Sequence, residues 1–117
     1  MNIELLREYC LSMKDATESF PFGDETLVFK VEGKIFALVN LEGDLSVNLK
    51  CDPEKALELR ERYRAVTPGY HMNKKYWNTV LLDGSIPEKE IFSWIAHSYD
   101  QVLLNLKGAK SSKRHYS

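Results

Sequence analysis

The sequence predicts an α+β domain, with helices on one face of a mainly antiparallel sheet. Three observations lead there. Helical periodicity near both ends brackets a central block of strand-like segments. The first of those segments are joined by the tight turns Glu32-Gly33 and Glu42-Gly43-Asp44, which make an antiparallel meander. Helices do not follow every strand, so the order is not that of a parallel α/β sheet.

The first element is a helix over residues 2–14, where Ile3, Leu6, Cys10 and Met13 recur at helical spacing. Asn2 caps it and Glu4 suits its first turn. The stretch DATESFPFGDE reads as irregular, punctuated by Pro21 and Gly23, with Phe20 and Phe22 pinning it to the core. Strands follow at 26–31, 34–41 and 45–50. In the third, Leu45, Val47 and Leu49 alternate with Ser46, Asn48 and Lys50, so one face is buried and the other wet.

Asp52-Pro53-Glu54 is a helix start: an aspartate cap, proline at the first position and an acid in the first turn. That helix runs over 53–63, with Ala56, Leu59 and Tyr63 inward. Its charged side, including Arg60 and Arg62, reads as a solvated face. A short strand is expected at 64–68 and another at 77–82. Pro87 opens the last helix and Gly108 is expected to end it. Residues 1–109 form a single domain, and 110–117 read as a frayed, basic tail. The sheet face away from the helices is expected to be open to solvent or to a partner.

Composition narrows the function classes. The chain has 117 residues, 44% hydrophobic and 28% charged, which fits one globular core. It holds no apolar run long enough to span a bilayer, and its amphipathic start is unlike a signal peptide, so a cytoplasmic, non-membrane protein is expected. Cys10 and Cys51 form neither a CxxC nor a zinc pattern. Cys10 reads as a buried hydrophobe. Cys51 stands where a helix dipole favours thiolate, but no base lies near it in sequence. Familiar hydrolase, phosphate-loop and metalloprotease motifs are absent, so no enzyme, metal or cofactor is expected.

Net charge is −1, which argues against bulk electrostatic coating of nucleic acid. The charge is nevertheless uneven. Residues 1–49 hold four basic and nine acidic groups, whereas 50–75 hold seven and four. This basic stretch ends in the segment PGYHMNKKYW, residues 68–77, which is too rich in large aromatics for an ordinary turn. Lys74 and Lys75 suit phosphates, Asn73 suits a base edge or phosphate, and Tyr70, Tyr76 or Trp77 can stack. Trp77 and Tyr70 read rather as anchors of the loop. His71 reads as a structural hydrogen-bonding group, with no carboxylate beside it.

The run PGYHMNKKYWNTV, together with FPFGDETLVFKV upstream and IPEKEIFSWIAHSYDQVLLNL downstream, resembles the MmcQ/YjbR family of small bacterial proteins. The resemblance covers roughly residues 3–107. It implies a CyaY-like (frataxin-like) sandwich with a sheet flanked by N- and C-terminal helices. It also implies DNA binding by a double-wing arrangement of strands and loops. By position the matching residues are His71, Asn73, Lys74 and Trp77, with Lys75 adjacent. Tyr76 stands where histidine is common in the family.

The expected activity is therefore weak, electrostatic binding of double-stranded DNA. The expected contacts are His71, Asn73, Lys74 and Lys75, with Lys50, Arg62 and Arg64 from the same basic stretch. The alternative is a protein- or ligand-interaction module using the same loop. Iron handling, by analogy with frataxin-like folds, would rest on Glu4, Glu8, Asp15 and Glu18 and ranks below both.

Overall fold

The computed structural model describes residues 1–70 and 72–115, with residues 107–115 described as backbone alone. In chain order the elements are α1 (Ile3–Leu11), β1 (Ala16–Ser19), β2 (Thr26–Val31), β3 (Lys34–Asn40) and β4 (Ser46–Lys50). There follow α2 (Pro53–Arg62), β5 (Val66–Pro68), β6 (Trp77–Leu81) and α3 (Glu88–His115). The strands form one sheet in the order β1-β2-β3-β4-β6-β5, each neighbouring pair antiparallel.

Local chemistry fixes the helix starts. The Asn2 side chain accepts from the Leu5 amide at 2.8 Å, and Asp52 accepts from that of Lys55 at 3.2 Å. Glu32 and Gly33 both take positive φ, 49° and 78°, as a two-residue turn matched to strand twist demands.

All three helices lie on one face. Leu6 and Cys10 of α1, Ala56 and Leu59 of α2, and Ile91, Ile95 and Val102 of α3 join one buried cluster with the strands. The strands supply Leu27, Phe29, Val39, Val47, Leu49 and Val80. Aromatic contacts knit the helical layer: Tyr9 stacks on Phe92 at 4.4 Å, and Tyr63 meets Trp94 edge-on at 5.3 Å. The result is a two-layer α+β sandwich, as expected.

Two expectations change. Residues 16–19, read as irregular, form edge strand β1. The inward-facing Glu18 hid it from a hydrophobic pattern, because its carboxylate is held by Arg7 of α1 at 2.5 and 2.6 Å. Helix α3 does not stop at Gly108. Glycine lowers helix propensity by about 1 kcal/mol relative to alanine but keeps its N–H, so it weakens a helix without ending it. The backbone of 110–115 accordingly belongs to α3.

A β-bulge shapes the sheet near the site. Phe29 pairs with Ala37 and Lys30 with Ile35, leaving Phe36 as the extra residue. Phe36 and Ala37 are consequently both buried, and Ile35 shares the opposite face with its partner Lys30. Ser98 of α3, fully buried, accommodates the irregularity: its hydroxyl donates to the Phe36 carbonyl at 2.5 Å and accepts from the Lys50 amide at 2.8 Å.

Candidate nucleic-acid interface

The sheet face away from the helices carries the alternate residues of each strand. One cross-strand row reads Val28, Leu38, Asn48, Thr79 and Thr67, and a second reads Thr26, Asn40, Ser46 and Leu81. Near the β2–β3 turn the face ends in Lys30, Ile35, Lys50 and Trp77. No strand position on this face is an aspartate or glutamate, although the chain has 17 such residues.

Two adjoining clefts share Ile35 and Met72: one lies on the open face, the other at its end, where the sheet meets Val102, Asn105 and Leu106 of α3. One, of about 520 Å³, has a neutral polar floor that includes Asn40, Ser46, Asn48 and Thr79, and Phe22 at its edge. Within that floor the Thr79 hydroxyl donates to Asn48 at 2.6 Å. The other, of about 620 Å³, collects Lys30, Lys34 and Lys50 around Ile35, Met72 and Trp77. No described carboxylate pairs with these three ammonium groups.

The segment joining β5 to β6 borders both clefts through Met72, and its own hydrogen bonds define its shape. The Gly69 amide donates to the Trp77 carbonyl at 2.8 Å, and the Met72 amide to that of Gly69 at 3.1 Å. The Asn73 carbonyl receives the amides of Tyr76 and Trp77 at 3.1 and 2.8 Å, while its side-chain oxygen accepts from the Lys75 amide at 2.9 Å. Gly69 is required by packing: a Cβ there would lie 2.9 Å from the Cβ of Trp77.

Arg60 of α2 holds this loop from beneath. Its guanidinium donates to the carbonyl of Lys74, to that of Trp77 at 3.3 Å and to the Asn78 side chain at 2.6 Å. Buried Asn78 in turn donates to the Ala56 carbonyl at 3.3 Å. Arg60 is thus a structural clamp, not part of a merely solvated helix face.

Of the residues expected from sequence, Lys50 lies on the open face, and Asn73, Lys74 and Lys75 lie exposed in the bordering loop. The Lys75 ammonium sits 5.4 Å from the Tyr76 ring centre. Arg62 and Arg64 are exposed at the junction of α2 and β5, at the other edge of the β5–β6 pair, and Arg62 lies 5.3 Å over the Tyr63 ring. Nothing in the contacts joins them to Lys50. His71 lies outside the described residues. Sequence reasoning read Ser46, Asn48 and Lys50 as one wet face but missed Lys30, Lys34 and the rest of the polar floor as parts of the site. Those join it only through the pairing of β2, β3, β4 and β6.

Phe20, Phe22 and Tyr70 project from the loops, with Phe22 66% and Tyr70 73% exposed. The two phenylalanines therefore do not pin their loop into the core.

Burial raises the Cys10 thiol to about 12 and the Cys51 thiol to about 11, so both are free, protonated thiols at neutral pH. For Cys51, desolvation outweighs the favourable charge of Lys55. His97 accepts the Asp52 amide on Nε2 at 3.2 Å, and burial followed by Lys55 lowers its pKa. No described group of three or more His, Cys, Asp or Glu side chains is placed to hold a metal. No described helix is long and apolar enough to cross a membrane.

Comparison with known proteins places this architecture. The chain is 38% identical over 104 residues to the uncharacterised protein YjbR of Escherichia coli (strain K12), covering 88% of each chain. It is 39% identical over 101 residues to the uncharacterised protein YbdF of Escherichia coli O157:H7, covering 86% of this chain and 83% of that one. The crystal structure of Deinococcus radiodurans protein DR2400 superposes with a TM-score of 0.83 at 39% identity, covering 96% of this chain and 86% of that chain. A Pseudomonas syringae crystal structure gives 0.73 at 31% identity, covering 84% and 96%. The YjbR family model matches residues 11–101, from the end of α1 through the open-faced sheet into α3, and the chain therefore belongs to the YjbR family.

Proposed function

We propose that the protein binds double-stranded DNA, weakly and electrostatically, through the open sheet face and the loop between β5 and β6. The observation that carries this reading is the charge segregation. The strands hold a single acid, Glu18, which faces the helices, whereas Lys30, Lys34 and Lys50 gather at the end of the open face. Lys74 and Lys75 lie exposed in the loop that borders the clefts through Met72. Lysines without a carboxylate partner among the described residues suit phosphates, whose neutralisation releases counterions.

The neutral floor and the exposed Phe22 and Tyr70 suit groove and sugar contacts. The near-neutral total charge implies non-specific affinity, roughly 10⁻⁴–10⁻⁶ M at physiological salt. DNA binding also implies a cytoplasmic protein, and the two free cysteines agree with a reducing compartment.

The test is fluorescence anisotropy with duplex and single-stranded DNA over a salt series. Native protein is expected to bind duplex with a negative salt slope. Lys74→Ala/Lys75→Ala and Lys30→Ala/Lys50→Ala should each flatten that slope. No duplex binding at low salt would remove the reading. A second reading is favoured by the exposed Phe20, Phe22 and Tyr70, which suit a protein partner. In that case a stable partner would be retained without DNA, and Phe22→Ser/Tyr70→Ser would release it.

A further inference from the structure

The lysine-bordered cleft has properties that duplex binding does not require. Its volume, about 620 Å³, lies in the range of small-ligand sites. Duplex phosphates need only a cationic surface, yet this one surrounds an apolar hollow. Ile35, Met72 and Trp77 line it together with Val102 and Leu106 of α3. Asn105, which supplies both a donor and an acceptor, lies between those two helix residues. Glu32, in the turn between Lys30 and Lys34, does not line the cleft.

We propose that this cleft binds a free nucleoside phosphate, its phosphates among Lys30, Lys34 and Lys50 and its base against Trp77 and Met72. Three mobile point charges match a polyanion better than a single carboxylate, which would leave two lysines unneutralised. The apolar walls select against a bare inorganic anion, since they give it nothing. A planar base gains stacking on the half-buried Trp77, and Asn105 can meet its polar edge. The inference uses the same lysines as the proposed DNA contact but does not depend on it.

The test is calorimetric titration of the full chain with ADP, inorganic pyrophosphate and adenosine, with amide and indole NMR shifts read in parallel. ADP is expected to bind more tightly than either fragment and to shift the Trp77 indole and the Ile35 amide. Lys30→Ala/Lys50→Ala should weaken ADP by about tenfold or more, the usual effect of losing charge-assisted contacts. Asn105→Trp fills the cleft from an exposed helix position while retaining all three lysines. It should abolish ADP binding and leave the duplex salt slope unchanged.

Pyrophosphate binding as tightly as ADP would reduce the cleft to a cationic patch and overturn the proposal. So would absence of ADP binding at millimolar concentration, or ADP binding that neither variant changes. Duplex binding without ADP binding overturns this inference alone, and ADP binding without duplex binding overturns only the DNA reading.

Discussion

The two faces of the sheet are built from the same strands and differ in almost everything else. On the helical face, Phe29, Ala37, Val47 and Val80 are almost wholly buried in one cluster. On the open face, their immediate neighbours Lys30, Leu38, Asn48 and Thr79 retain exposure and line clefts. Pleating alone separates the two sets, because successive side chains point to opposite sides. The difference teaches where stability and recognition reside. The first face carries the packing energy, so the second is free to be polar and cationic.

The sharpest way to break this comparison is to truncate one residue from each side. Phe29→Ala should cost about 3–5 kcal/mol, because it opens a cavity in a close-packed cluster. Lys30→Ala, its neighbour in sequence, should leave stability within about 0.5 kcal/mol of native, as expected for a half-buried cation outside the core cluster. Urea denaturation of both variants measures the contrast. Equal losses would mean that the open face is part of the core.

Next in size is the link between the faces. Arg60→Ala should cost about 3 kcal/mol, since it removes charge-assisted bonds and leaves the side-chain oxygen of buried Asn78 without its donor. Amide exchange at Cys51, whose N–H donates to the Tyr76 carbonyl at 2.7 Å, should accelerate as the loop loosens. Unchanged exchange there would show that Arg60 does not hold the loop. Ser98→Ala should cost about 2 kcal/mol by orphaning the Phe36 carbonyl and the Lys50 amide. Ser98→Thr keeps the hydroxyl and separates loss of the hydrogen bonds from the effect of altered packing.

A smaller effect concerns pH. His97 has its pKa lowered from 6.5, chiefly by desolvation. The unfolded chain then binds the proton more readily than the folded one, so stability is retained above 6.5 and declines as pH falls toward the folded pKa. His97→Gln should flatten the His97 contribution in thermal melts between pH 7 and 5. An identical slope in the variant would assign the acid sensitivity elsewhere. Smallest for folding, yet decisive for recognition, is Lys30→Ala/Lys50→Ala: it should reduce the duplex salt slope by about two while leaving the melt unchanged.

Much of the architecture was legible in the chain because its signals are local. Asn2 and Asp52-Pro53-Glu54 announce helix starts, and Glu32-Gly33 announces a two-residue hairpin. The alternation of Ser46, Asn48 and Lys50 already contained the wet face. By contrast, β1 was hidden because Glu18 is satisfied by Arg7, eleven residues earlier, rather than by an apolar pattern. Phe20 and Phe22 looked like core residues because hydrophobicity says what favours burial, not whether the fold supplies a place for it.

The loop at 68–77 shows the same division. Its lysines and aromatics marked it in the sequence, but Asn73 and Gly69 also have structural roles that only the loop's closed geometry makes visible. Sequence by itself determined where most of the helices and strands lie and which face of each is apolar, because caps, turns and periodicity act within a few residues. Tertiary structure decided which cations meet. The bulge at Phe36 puts Ile35 on the face that carries Lys30, the antiparallel order brings β6 beside β4, and Arg60 of α2 clamps the loop. Those arrangements join residues tens of positions apart, and their energy exists only once the chain has closed on itself.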